Sequence, residues 1–77
     1  MSRRDYERAQ QAIQRGQARP LREVLTRVQA SHPGTVIRVG FSSDGGSFRV
    51  LTVNNSGAVV SVRVDAASGR ITGAQAC

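Results

Sequence analysis

The chain is 77 residues long, with a hydrophobic fraction of 39% and a single cysteine at its last position. That composition fits one small globular domain and excludes an intrachain disulfide and a two-cysteine metal site. Its 11 basic residues, all arginine, outweigh 5 acidic ones for a net charge of +6, and no stretch is long and apolar enough for a transmembrane helix.

The opening Met1-Ser2-Arg3-Arg4 runs directly into Asp5-Tyr6-Glu7-Arg8, without the apolar core of a signal peptide. The expectation is a cytoplasmic protein, or a periplasmic or secreted one whose leader has been removed. From Asp5 to Arg15 helix formers dominate, with acids early and Arg15 late to complement the helix dipole, and Gly16 supplies a stop. The apolar residues Tyr6, Ala9 and Ile13 make only a thin stripe, so this helix is expected to pack loosely or at one end. A second helix is predicted over Pro20–Ser31. Pro20 suits the first helical position, and Leu21, Val24, Leu25 and Val28 recur at i, i+3, i+4 and i+7. His32-Pro33-Gly34 ends it, because a residue before proline avoids the helical region and glycine permits a reversal.

Beyond Gly34 the hydrophobic period changes to two. Thr35–Ser42, Ser47–Asn54 and Ala58–Asp65 are rich in β-branched and aromatic residues and read as strands. Asp44-Gly45-Gly46 and Asn55-Ser56-Gly57 are turn signals, so consecutive strands are expected to pair antiparallel. Arg70–Gln75 reads as a short edge strand. Alternation assigns Ile37, Val39 and Phe41, then Phe48, Val50 and Thr52, then Val60, Val62 and Val64 to one face. The predicted fold class is α+β: one helix across a three- to four-stranded antiparallel meander, with a short additional N-terminal helix.

The runs Pro20-Leu21-Arg22-Glu23-Val24-Leu25, His32-Pro33-Gly34-Thr35-Val36-Ile37, Phe48-Arg49-Val50, Ser56-Gly57-Ala58-Val59-Val60 and Val64-Asp65-Ala66-Ala67-Ser68-Gly69-Arg70-Ile71 resemble, in order and spacing, the pattern of PepSY domains. The likeness covers about three quarters of the chain, the span of a single short module. It departs from the family pattern at Phe48, where Tyr is frequent, and at Leu51, where a charged residue is common. The resemblance implies a cystatin-like helix on an antiparallel sheet, in residues 20–76, preceded by a helix and linker in residues 1–19. It also implies a non-enzymatic regulatory module, found in peptidase propeptides and in stand-alone bacterial envelope or secreted proteins. No peptidase domain follows here, so a restrained peptidase is expected to be a separate partner.

The residues themselves point away from catalysis. His32 is the only histidine and sits in a helix-ending turn; Asp44 and Asp65 suit turns; Ser42, Ser43, Ser47 and Ser56 lie in loops or at their margins without a local base. Asp44-Gly45-Gly46-Ser47 joins two strands and lacks the lysine of a phosphate loop. No catalytic, cofactor-binding or metal-ligating residue is assigned. Cys77 is expected to be an incidental terminal thiol, or to link copies in vitro.

Scattered arginines without a single lysine read as background composition more than as a dedicated polyanion surface. Strand register gives a sharper candidate. If Asn55-Ser56-Gly57 is a three-residue loop with Gly57 left-handed, residue i of the second strand faces residue 112 minus i of the third, setting Arg49 opposite Arg63 and Val53 opposite Val59. With Arg38 nearby, and with Asp65 diagonal to Arg49 as a partial neutraliser, these read either as solvated charges or as a contact surface. In the second reading Arg38, Arg49 and Arg63, bordered by Leu51, Val53 and Val59, meet a protein partner or a second copy. Pairing of an edge strand with an extended peptide or a second copy is the other option. The competing function is a small basic nucleic-acid or polyanion binder. Few aromatics count against it, since Phe41 and Phe48 are assigned to the core and leave no base-stacking platform.

Overall fold

The computed structural model describes residues 1–76; Cys77 lies outside the described residues. Two helices, α1 (Arg3–Gln14) and α2 (Leu21–Ser31), precede four strands, β1 (Thr35–Phe41), β2 (Ser47–Val53), β3 (Val59–Asp65) and β4 (Ile71–Ala76). The strands form one open antiparallel sheet in the order β1-β2-β3-β4, so the α+β class with a four-stranded meander is realised. Among the described residues no helix is long and apolar enough to cross a membrane.

Helix α1 begins where Ser2 Oγ accepts the Asp5 amide at 3.1 Å, satisfying one of the free N–H groups of the first turn. It ends in a Schellman arrangement: Gly16, at φ 73°, donates to the Ile13 carbonyl, and Gln17 donates to that of Ala12. The expected apolar stripe is only partly used. Ala9 is buried and Ile13 packs against the core, but Tyr6 stays 50% exposed.

What fastens α1 is polar. Arg8 donates through Nη1 to the Ser42 carbonyl at 2.7 Å and through Nη2 to that of Phe41 at 3.1 Å, while its guanidinium lies 5.5 Å from the centre of the Phe41 ring. Asp5 holds Arg8 at 2.9 Å and accepts a long bond from the Phe41 amide. An acid and a base one helical turn apart thus satisfy both backbone groups at the end of edge strand β1, a position that is otherwise open to pairing with other chains.

Helix α2 starts one residue later than expected, with Pro20 as its N-cap. Val24 and Val28 are fully buried, with Leu21 and Leu25 packed beside them. The linker between the helices is fixed as well: Ala18 is buried, the Arg19 amide donates to Ala66 at 2.7 Å, and Arg19 forks onto Glu23 at 2.7 Å through both contacts. His32 closes α2, and its Nδ1 is shielded without a hydrogen-bond partner among the described residues.

The inner face of the sheet carries Phe41, Phe48, Val50, Thr52, Val62 and Val64, all buried. One inward assignment is corrected. Ile37 is 54% exposed because a β-bulge between Val36 and Arg38 puts Ile37 and Arg38 together opposite Leu51. The extra residue shifts the alternation, so Val36 takes the inner place and packs against the core.

Four carboxylates sit below their ordinary pKa range. A hydrogen bond from Arg8 does this at Asp5, one from Arg19 at Glu23, one from the Ser42 hydroxyl at Asp44 and one from the Ser68 hydroxyl at Asp65. A carboxylate with a lowered folded pKa contributes stability that is complete above its unfolded pKa and lost as pH falls through the folded value. The urea midpoint is therefore expected to be level between about pH 5 and 7 and to fall below about pH 4. Asp5→Asn should lower the midpoint at neutral pH and flatten the acid limb; a limb unchanged by that substitution would remove Asp5 from the account.

Candidate protein-binding surface on the outer sheet face

The face of the sheet turned away from the helices is organised by the turns that set its register. Asn54 Oδ1 accepts from the amides of Ser56 and Ala58 at 3.0 Å each, and Gly57 stands at φ 85°, so the loop Asn55-Ser56-Gly57 closes β2 onto β3 as a three-residue hairpin. The resulting pairing sets Arg49 opposite Arg63, Leu51 opposite Ser61 and Val53 opposite Val59. The register read from the turn is the one observed.

Following the pairing across all four strands gives the row Gly40, Arg49, Arg63, Gly73. Two exposed arginines therefore stand side by side with a glycine on each flank. Because neither glycine has a side chain, a shallow groove lies on either side of the pair. One is lined by Gly40 and the Ser42–Asp44 loop with Ser47, the other by Ser61, Thr72, Gly73 and Gln75, and Arg49 and Arg63 line both. The next row is Arg38, Leu51, Ser61, Gln75, with Ile37 beside Arg38 at the bulge, and Val53–Val59 follows. All six sequence-assigned positions, Arg38, Arg49, Leu51, Val53, Val59 and Arg63, occupy one face. Ile37, Gly40 and Gly73 are the additions; Ile37 comes to this face through the bulge in β1, which has no local sequence signal.

Among the described residues Arg49 and Arg63 have no carboxylate partner, and every acidic side chain is engaged elsewhere. Asp5, Glu7 and Glu23 pair with Arg8, Arg3 and Arg19, and Asp44 accepts from Ser42 Oγ and the Gly46 amide. Asp65, expected as a partial neutraliser of Arg49, instead accepts from the Ser68 amide and hydroxyl at 3.0 and 2.8 Å. It faces Ser47 across the sheet. The turn draws the carboxylate to the Ser68 backbone, and Arg49 forms no salt bridge with it. Among the described residues no group of three His, Cys, Asp or Glu side chains comes together.

Comparison with protein-family models, with curated proteins and with solved structures gives no match.

Proposed function

We propose that the chain is a non-catalytic protein-binding module that regulates its partner, of the kind the PepSY likeness implies: a peptidase held in check, or a component of an envelope signalling system. The same reading assigns it to the periplasm or the outside of the cell. The single observation that supports it best is the Arg49–Arg63 pair, two like charges directly opposed and, among the described residues, without a salt bridge. Such a pair costs an isolated domain a few tenths to about 1 kcal/mol, while it gives a partner of opposite charge both steering and register. Ile37, Leu51, Val53 and Val59 on the same face supply the apolar component of an interface. A polyanion partner is the second reading, favoured by the net charge of +6; both phenylalanines are buried, which leaves that face no stacking platform.

Arg63→Glu separates binding from folding, because it makes the repulsive pair attractive. Its urea midpoint is expected to rise, by up to about 1 kcal/mol in stability. Its affinity for the purified product of a neighbouring peptidase or sensor gene, measured by calorimetry, is expected to fall at least about tenfold. Undiminished binding would remove the outer face from the interface. Tight binding to mixed DNA and RNA with a steep salt slope would transfer the function to the polyanion reading.

A further inference from the structure

The two edges of the sheet are not equivalent. The end of β1 is closed by α1, whose Asp5 and Arg8 take up the amide and carbonyl of Phe41. Strand β4 ends the sheet on the other side with Thr72–Ala76 all exposed. Its sequence Ile71-Thr72-Gly73-Ala74-Gln75-Ala76 holds no charge and no proline, the devices with which exposed edges are normally protected. A register shift falls at the start of β4, opposite Arg63 and Val64, and the pairs from Gly73 to Ala76 are regular. The edge is therefore open, with a regular register, beside a groove that contains both Arg63 and β4 residues.

We propose that β4 accepts an extended acidic segment of a partner protein as a fifth strand, with a glutamate or aspartate placed in the Arg49–Arg63 row. The inference rests on the outer-face reading above and adds the mode of binding and the partner's chemistry. Its geometric basis is Gly73. A residue added beyond Gly73 stands two strand spacings from Arg63, roughly 10 Å between backbones, and only hydrogen atoms of Gly73 lie between. An extended arginine and a glutamate span that gap together. Ser61, Thr72 and Gln75 line the same groove and offer hydrogen bonds to the carboxylate. Strand addition supplies affinity through main-chain bonds and specificity through alternate side chains. Here the alternate side chain is acidic because it meets Arg49 and Arg63, and the five acidic side chains of the chain are engaged elsewhere.

The test uses the whole chain, labelled with nitrogen-15, and an acetylated, amidated heptapeptide of sequence Thr-Val-Thr-Glu-Thr-Val-Thr. The expected result is saturable amide shifts concentrated in Thr72–Gln75 and at Arg63, and affinity about fivefold weaker when the central Glu is replaced by Gln. Gly73→Val supplies the second variant. Gly73 has ordinary φ, and a Cβ there meets nothing within 4 Å, so the fold is retained while a side chain now stands between Arg63 and the added strand. Its affinity for the Glu peptide should fall to that of the Gln peptide. Equal affinity for both peptides, shifts confined to β1 and β2, undiminished binding by Gly73→Val, or concentration-dependent pairing of β4 with a second copy would each overturn the proposal. If the calorimetric partner binds Gly73→Val normally but loses Arg63→Glu, only strand addition falls. If it binds both normally, the outer-face reading falls with it.

Discussion

Phe48→Ala is expected to remove a large share of the stability of the chain and to lower its urea midpoint steeply. Phe48 is fully buried on the inner face, where its ring meets Phe41 at 4.9 Å between centroids, tilted by 48°, within the range of favourable aromatic pairs. Removing a buried phenylalanine costs about 3–5 kcal/mol through lost transfer energy and the cavity left behind. A domain of this size has a stability of only about 4–12 kcal/mol. The loss also reaches the Arg8 latch, because Phe41 is the residue over which Arg8 lies and whose carbonyl it holds. The measurement is a urea titration followed by far-ultraviolet circular dichroism. Phe48→Leu, which retains most of the volume, should remain folded with a loss of about 1 kcal/mol. A variant Phe48→Ala with a near-native midpoint would mean that the two aromatic rings do not organise the core.

Gly34→Ala is the second large effect, and its cause is steric rather than hydrophobic. Gly34 carries the chain from α2 into β1 at φ 157°, and its amide donates to Gln29 Oε1 at 3.3 Å. A Cβ at this position would overlap the Val53 carbonyl oxygen and press on its carbon at 2.9 Å. Both atoms are backbone at the end of β2, so no side chain can rotate away. The β1–β2 pairing from Thr35 onward must open to make room. The expected cost is about 2–3 kcal/mol, the upper range of overpacking in a close-packed interior. Gly57→Ala provides the contrast. A Cβ there meets nothing within 4 Å, leaving only the strain of a left-handed alanine at φ 85°, about 1 kcal/mol. A urea midpoint for Gly34→Ala no lower than that for Gly57→Ala would show that the two strands part easily at this end.

Much of this architecture could be read from local chemistry. The i, i+3, i+4, i+7 stripe of α2 and the left-handed demand at Gly57 each have a one-turn signature, and the second of these is enough to set Arg49 opposite Arg63. The bulge at Ile37 could not be read. Thr35-Val36-Ile37-Arg38-Val39 offers apolar residues at 36, 37 and 39, which fit the inner face equally well with or without an extra residue. Only the partner register on β2 decides between them. Arg8 illustrates a different limit. Its bonds to Phe41 and Ser42 join residues 33 and 34 positions apart, and nothing near Arg8 distinguishes it from ten other arginines. Asp65 marks a third. Its place beside Arg49 was legible, but the competition from Ser68, three residues on, was settled by turn geometry.

The order β1-β2-β3-β4 repeats the order of the chain, and this bears on how quickly the molecule is made as well as on its shape. Each strand meets its neighbour across one short loop, at residues 42–46, 54–58 and 66–70. Closing such loops costs little chain entropy, and sheets built from neighbouring strands assemble faster than those that must wait for a distant one. Two contacts that reach far along the sequence, from Arg8 to Phe41 and from Arg19 to Ala66, start within the first 19 residues. During synthesis those residues exist before any strand does, so the end of β1 and the turn after β3 emerge onto groups already made.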